Sequence, residues 1–137
     1  MQDIDRRSML VVVGAASTLI FPAAATAETY GPTEGKEVAP GVREVDLGER
    51  ESVIPAYKKV RLRDIVIASG AKTRVMPMPN DMVCIQTEGE LAVVQNEKQF
   101  TVKKGDVWTC AKGMTTEGTQ NKGNAVAIMR VIDLMTA

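Results

Sequence analysis

The stretch from Gly70 to Trp108 reads GAKTRVMPMPNDMVCIQTEGELAVVQNEKQFTVKKGDVW. Its apolar residues fall in short or alternating runs divided by turn formers, the pattern of half-buried strands rather than helices. Strands are expected over 73–76, 82–88, 90–95 and 98–102, with a further one over 106–111. Glu88-Gly89 and Asn96-Glu97 sit between such runs and predict two consecutive antiparallel hairpins. Working outward, 58–68 before the stretch and 125–134 after it read as longer strands. No segment after Glu28 shows a sustained helical period. Closing so many short strands without long exposed edges calls for an all-β barrel or sandwich.

Upstream, 28–56 carries Gly31, Pro32, Gly35, Pro40, Gly41 and Gly48 among many charges. This composition predicts an extended arm without packed elements, leaving 57–137 as the barrel. Residues 1–27 read as a cleavable signal peptide. They comprise a charged MQDIDRR, an uncharged run from Ser8 to Ala27, and the small-residue site Ala25-Thr26-Ala27. Asp5-Arg6-Arg7-Ser8-Met9-Leu10 resembles the twin-arginine motif, which implies export of an already folded domain to a bacterial periplasm. Asp5 and Val11 depart from the usual residues of that motif. Gly14, Ser17, Thr18 and Pro22 make the run a poor membrane helix, so no stable membrane insertion is expected once the signal is cleaved.

Lys plus Arg equal Asp plus Glu at 17 each within 137 residues, and both signs are mixed along the chain. Nothing in this balance favours nucleic acid or an anionic membrane, so a small molecule or a protein is the expected partner. There is no histidine. The chain therefore lacks the commonest metal ligand and the side chain most used for proton transfer near neutral pH.

From Gly70 onward the spacing resembles the cupin family. Its first motif runs Gly, five residues, His-x-His, three or four residues, Glu, six residues, Gly. Here Gly70 is followed after five residues by Met76-Pro77-Met78, then three residues, Met82, six residues and Gly89. Its second motif runs Gly, five residues, Pro-x-Gly, two residues, His, three residues, Asn. Here Gly105 is followed by five residues, Ala111-Lys112-Gly113, two residues, Thr116, three residues and Gln120. The intervening TEGELAVVQNEKQFTVKKGDVW is similar to the cupin inter-motif run. The resemblance implies a jelly-roll β-barrel, with Met76, Met78, Met82 and Thr116 at the positions where metal-binding cupins hold their metal. It also implies a homodimer, to which the arm would contribute. Oxygenase or isomerase chemistry does not carry over without the ligands.

Two sulfur features follow. Thioethers are soft donors suited to Cu(I), so Met76, Met78 and Met82, with Met114 nearby, are a candidate copper cluster. The plainer reading is that methionine, flexible and apolar, fills the barrel interior. Cys84 and Cys110 lie on strands expected to be neighbours in a jelly roll. A disulfide there would stabilise the fold by about 2–4 kcal/mol; buried thiols, soft metal ligands and a redox pair are the alternatives. Of the remaining candidates, Lys103, Lys104, Asp106, Lys112 and Glu117 read as loop charges or turn formers, and Trp108 as core or pocket wall.

The leading expectation is an exported, non-catalytic cupin-like module binding a small ligand or a partner, without a cofactor. A Cu(I)-handling protein is the first alternative. An enzyme using carboxylate or thiol chemistry on a small substrate is the second.

Overall fold

The computed structural model describes residues 29–114 and 118–136, and the proposed signal peptide, Thr116 and Glu117 lie outside them. Among these residues nine strands occur: β1 (Lys36–Ala39), β2 (Val42–Glu51), β3 (Lys59–Ile67), β4 (Asp81–Glu88), β5 (Leu91–Gln95), β6 (Lys98–Val102), β7 (Val107–Cys110), β8 (Gly118–Gln120) and β9 (Ala127–Met135). They form a six-stranded sheet in the order β1-β2-β3-β9-β4-β7 and a three-stranded sheet in the order β6-β5-β8, with antiparallel pairing throughout. β9, late in the chain, lies between β3 and β4. This non-local crossover is what a jelly roll requires.

Alternation explains which side chains turn inward. Met82, Cys84 and Gln86 of β4 are buried, while their neighbours in sequence are only partly so. On β9, Ala127, Met129, Val131 and Asp133 face the same interior. Leu91 and Val93 of β5 and Val102 of β6 join Val42, Ile65, Ile67, Met129 and Trp108 in one core, so the two sheets share a single apolar interior. Val66 and Ile128 bury the opposite face of the large sheet under Tyr30. This second layer is why the end of β3 is buried on both sides.

The structure corrects three expectations. First, much of the segment read as an unpacked arm is β1 and β2, and β2 pairs with β3 along nine residues of register. Its alternation was masked because Glu44, an inward position two residues beyond Val42, is charged and pairs with arginines of β3. Second, 73–76 is not a strand. Pro77 and Pro79 each lack a ladder donor, and apart from the bridge from Lys72 to Gln120 the chain there runs as a loop. The partner in that bridge belongs to β8, whose three residues are too few to show a period. Third, Glu88-Gly89 does not close a hairpin, because β4 pairs only with β7 and β9, and β5 only with β6 and β8. It is a corner that carries the chain from one sheet to the other. Asn96-Glu97 does close a two-residue hairpin, and both residues have positive φ, 51° and 67°, as a type I′ turn requires.

The corner depends on Gly89. Its φ is +72°, and an added Cβ would stand 2.7 Å from the Val126 carbonyl oxygen and 2.9 Å from the Ala127 Cα. These are backbone atoms that cannot swing aside. Gly89→Ala is therefore expected to cost about 2–3 kcal/mol, read as a lowered urea midpoint with an unchanged slope.

Candidate functional site

The inner face of the large sheet is laid out in rows by strand register. One row runs from Arg63 through Val131 and Cys84 to Trp108, and the next from Arg61 through Asp133 and Met82 to Cys110. Between these rows and the 73–79 loop lies an open cavity of about 420 Å³. Ile65, Met129, Val131 and Trp108 form its apolar wall, and Met76, Met78 and Met82 also line it, as do Cys84 and Cys110.

The three methionines are placed unequally. Met82 is buried on β4, Met78 packs against the core from the loop, and Met76 is 53% exposed at the rim. Met76 and Met78 do not share a strand, so alternation does not set their common direction. The loop is nonetheless held in place. The Met78 N–H donates to the Met114 carbonyl at 2.9 Å, and the Gly113 N–H donates to the Met78 carbonyl at 2.8 Å. The turn carrying Gly113 is tied to the start of β4, where Asp81 accepts the Lys112 backbone N–H at 2.9 Å and the Tyr57 hydroxyl at 2.8 Å. The Lys112 N–H, and next the Tyr57 hydroxyl, hold the Asp81 carboxyl below the usual carboxylate range.

Cys84 and Cys110 are both buried, and their sulfurs stand 3.9 Å apart. That is a distance for an S–H···S contact rather than for a covalent bond of about 2.05 Å. The register explains it: Cys84 is paired with Trp108, so Cys110 is its diagonal neighbour on the same face. Asp106 accepts the Lys103 N–H at 2.8 Å and shapes the turn before β7.

Sequence reasoning missed the charged network at one end of the cavity. Arg63 donates to Asp133 at 2.8 and 3.1 Å and to Glu44 at 2.8 Å. Two interior carboxylates are thereby committed to an ion pair, although alternating charges in Arg61-Leu62-Arg63 were the available signal. Arg74 stands exposed at the rim. No group of three or more His, Cys, Asp or Glu side chains able to hold a metal occurs among the described residues. Trp108 is only 8% exposed, and its indole Nε1 is buried without a hydrogen-bond partner among the described residues, as is Gln86 Oε1.

No family model and no curated protein matches the chain. Solved structures do. The Cnp3 cupin domain of Schizosaccharomyces pombe is similar with a TM-score of 0.57 and 19% identity, over 69% of this chain and 64% of that one. The cupin domain of an XRE family transcriptional regulator from Enterobacter cloacae aligns with a TM-score of 0.59 and 13% identity, over 71% of this chain and 99% of that one. A cupin superfamily sugar phosphate isomerase from Silicibacter pomeroyi gives 0.57 and 21% identity, over 71% of this chain and 61% of that one. At such identities the likeness speaks to the fold: the chain is a cupin-type jelly roll. The varied functions of these neighbours leave its own function to its own residues.

Proposed function

We propose that this is an exported binding module that takes up a small, mainly apolar molecule in the barrel cavity. The observation that carries the reading is Trp108. Its indole N–H is buried without an acceptor among the described residues, and Trp108 stands in the wall of a mainly apolar, open cavity. A buried donor left unpaired costs about 1–3 kcal/mol, which a ligand bearing a carbonyl, hydroxyl or carboxylate oxygen would offset. The cavity volume falls in the range of ordinary small-molecule sites. It has room for roughly a dozen non-hydrogen atoms, at about 30 Å³ for each water-sized one. Arg74 at the rim supports a ligand whose polar end faces the opening. Export rests on the reading of residues 1–27. The pairing of Glu44 and Asp133 with Arg63 supports binding over acid–base chemistry, because neither carboxylate is left to move a proton.

Trp108 is the only tryptophan in the chain, so its emission reports directly on the cavity. Titration of the protein with medium-chain alkanols, ketones and carboxylates is expected to give a saturable shift in that emission for at least one class. Val131→Phe, which places a ring in the cavity wall, is expected to weaken the response at least about tenfold without unfolding the barrel. An emission spectrum indifferent to all three classes, or an unaltered response in the variant, would remove the support for this reading.

A further inference from the structure

Neither cysteine of β4 and β7 enters the Arg63 network, and Met82 touches it through one contact alone among those seen, the Arg63 Nη2 donating to its Sδ at 3.8 Å and leaving a second sulfur lone pair unused. Met82 and Cys110 are directly opposed in the register, and Cys84 lies two residues from Met82 on the same face. All three line the cavity, yet each is at least nine-tenths buried. A metal bound to two thiolates by bonds of about 2.3 Å holds the sulfurs about 3.8 Å apart at a tetrahedral angle and about 4.0 Å apart at the trigonal angle of a three-donor site. Cys84 and Cys110 already stand 3.9 Å apart.

A second observation concerns Cys110 itself. Gln95 Nε2 donates toward its sulfur at 3.7 Å, and the same nitrogen donates to the Thr109 carbonyl at 2.7 Å. The carbonyl bond orients the amide, so an N–H and not an oxygen faces the sulfur. The amide therefore presents a donor to the sulfur, which is the outer-shell partner a metal-bound thiolate takes.

We propose that Cys84, Cys110 and Met82 form a three-sulfur site for a soft monovalent cation of the Cu(I) class. Thiolate and thioether donors select Cu(I) over harder divalent ions. Zinc in a closed site takes four donors from Cys, His, Asp or Glu. Among the described residues the two cysteines are not joined by a third such group, and Asp133 on the neighbouring strand is bound to Arg63. On binding, two sulfur–copper bonds form, both thiol protons leave to solvent, and the thioether of Met82 adds a third bond through its lone pair. No electron is transferred. The site is distinct from a cluster of Met76, Met78 and Met82, whose first member stands at the exposed rim. It does not depend on the apolar-ligand reading, and either can fail without the other.

The test uses fully reduced protein with both thiols counted before metal is added. Under anaerobic conditions it is expected to withdraw one equivalent of Cu(I) from a chromogenic chelator. X-ray absorption of the loaded wild-type protein is expected to show sulfur ligands alone, near 2.3 Å. Cys84→Ser/Cys110→Ser is expected to lower the affinity at least about a hundredfold, and the volume-conserving Met82→Leu about tenfold. Met76→Leu/Met78→Leu is expected to leave it within about twofold, since neither residue is a donor in this site. The absorption measurement stands even where the double serine variant fails to fold. Failure of the wild-type protein to withdraw copper would overturn the proposal. So would nitrogen or oxygen ligation, undiminished uptake by a folded double serine variant, or an effect seen only in Met76→Leu/Met78→Leu.

Discussion

Arg63→Met is expected to destabilise the protein by about 3–5 kcal/mol, the range for breaking a buried ion pair from one side. Arg63 reaches Asp133 through two nitrogens and Glu44 through a third, and the Asp133 side chain is 2% exposed. Removing the guanidinium leaves that buried carboxylate without the ion pair and hydrogen bonds that Arg63 supplies. The loss comes mainly from the stranded charge, because a buried pair gains little beyond its own desolvation. Arg63→Met/Asp133→Leu is accordingly expected to recover most of the stability, and a double-mutant cycle in urea would show strong coupling. A loss in the single variant below about 1 kcal/mol would mean that water reaches Asp133 and that the network is a surface feature. Arg63 also lines the cavity, so the same lattice that closes one end of the barrel supports the shape of the binding wall.

Arg130→Met is expected to cost about 3 kcal/mol, at the lower end of the same range because the arginine itself is partly exposed. Its partner Asp64 is 1% exposed on the opposite face of the sheet, where it accepts two bonds from Arg130 at 2.8 and 2.9 Å and the Tyr30 hydroxyl at 2.6 Å. Burial alone would raise the Asp64 pKa, but the hydrogen bonds from Arg130 and Tyr30 outweigh it and hold the carboxyl below its usual value. Linkage fixes the sign. A carboxyl depressed in the folded state contributes stability above its unfolded value of about 3.9, and that stability is lost as pH falls through the lower native value. The wild type is thus expected to lose stability below about pH 4 more steeply than Arg130→Met does.

Tyr30 titrates in the opposite direction. Its burial, followed by the hydrogen bond to Asp64, pushes its pKa up to about 12. The protonated phenol therefore contributes stability that is complete below about pH 10 and is lost as pH rises toward 12. Tyr30→Phe should remove this alkaline dependence. Urea midpoints across both pH ranges, compared among the wild type and the two variants, measure these effects; parallel curves would show that the triad does not couple to folding.

The elements legible in the sequence are those in which alternation is carried by apolar residues. β4, β5, β6, β7 and β9 show Met82-Cys84, Leu91-Val93, Phe100-Val102, Trp108-Cys110 and Met129-Val131 at a spacing of two. β2 was hidden because its inward face passes from Val42 to Glu44, and a charge two residues from a valine reads as loop until its partners Arg61 and Arg63 are known. The Arg63 network was legible only in part: Arg61-Leu62-Arg63 marks charges at a strand spacing, but the partners come from β2 and β9, and no local pattern joins them. Among the site residues, motif spacing singled out Met76, Met78, Met82 and Thr116, and residue type singled out Cys84, Cys110 and Trp108; all but Thr116, which lies outside the described residues, line the cavity. The unequal exposure of the three methionines followed from two prolines converting the expected strand into a rim loop.

By itself the sequence determined an all-β chain without histidine, the hairpin at Asn96-Glu97, and the inward faces of five strands. Each of these is local, set by turn chemistry or by the two-residue repeat of the strand. The tertiary structure decided that Glu88-Gly89 turns between sheets, that β9 enters between β3 and β4, and that sulfurs 26 residues apart come within 3.9 Å. The physical reason is that strand pairing is non-local. A period of two orients every side chain, but the choice of neighbouring strand is made by burying both sheets against one core.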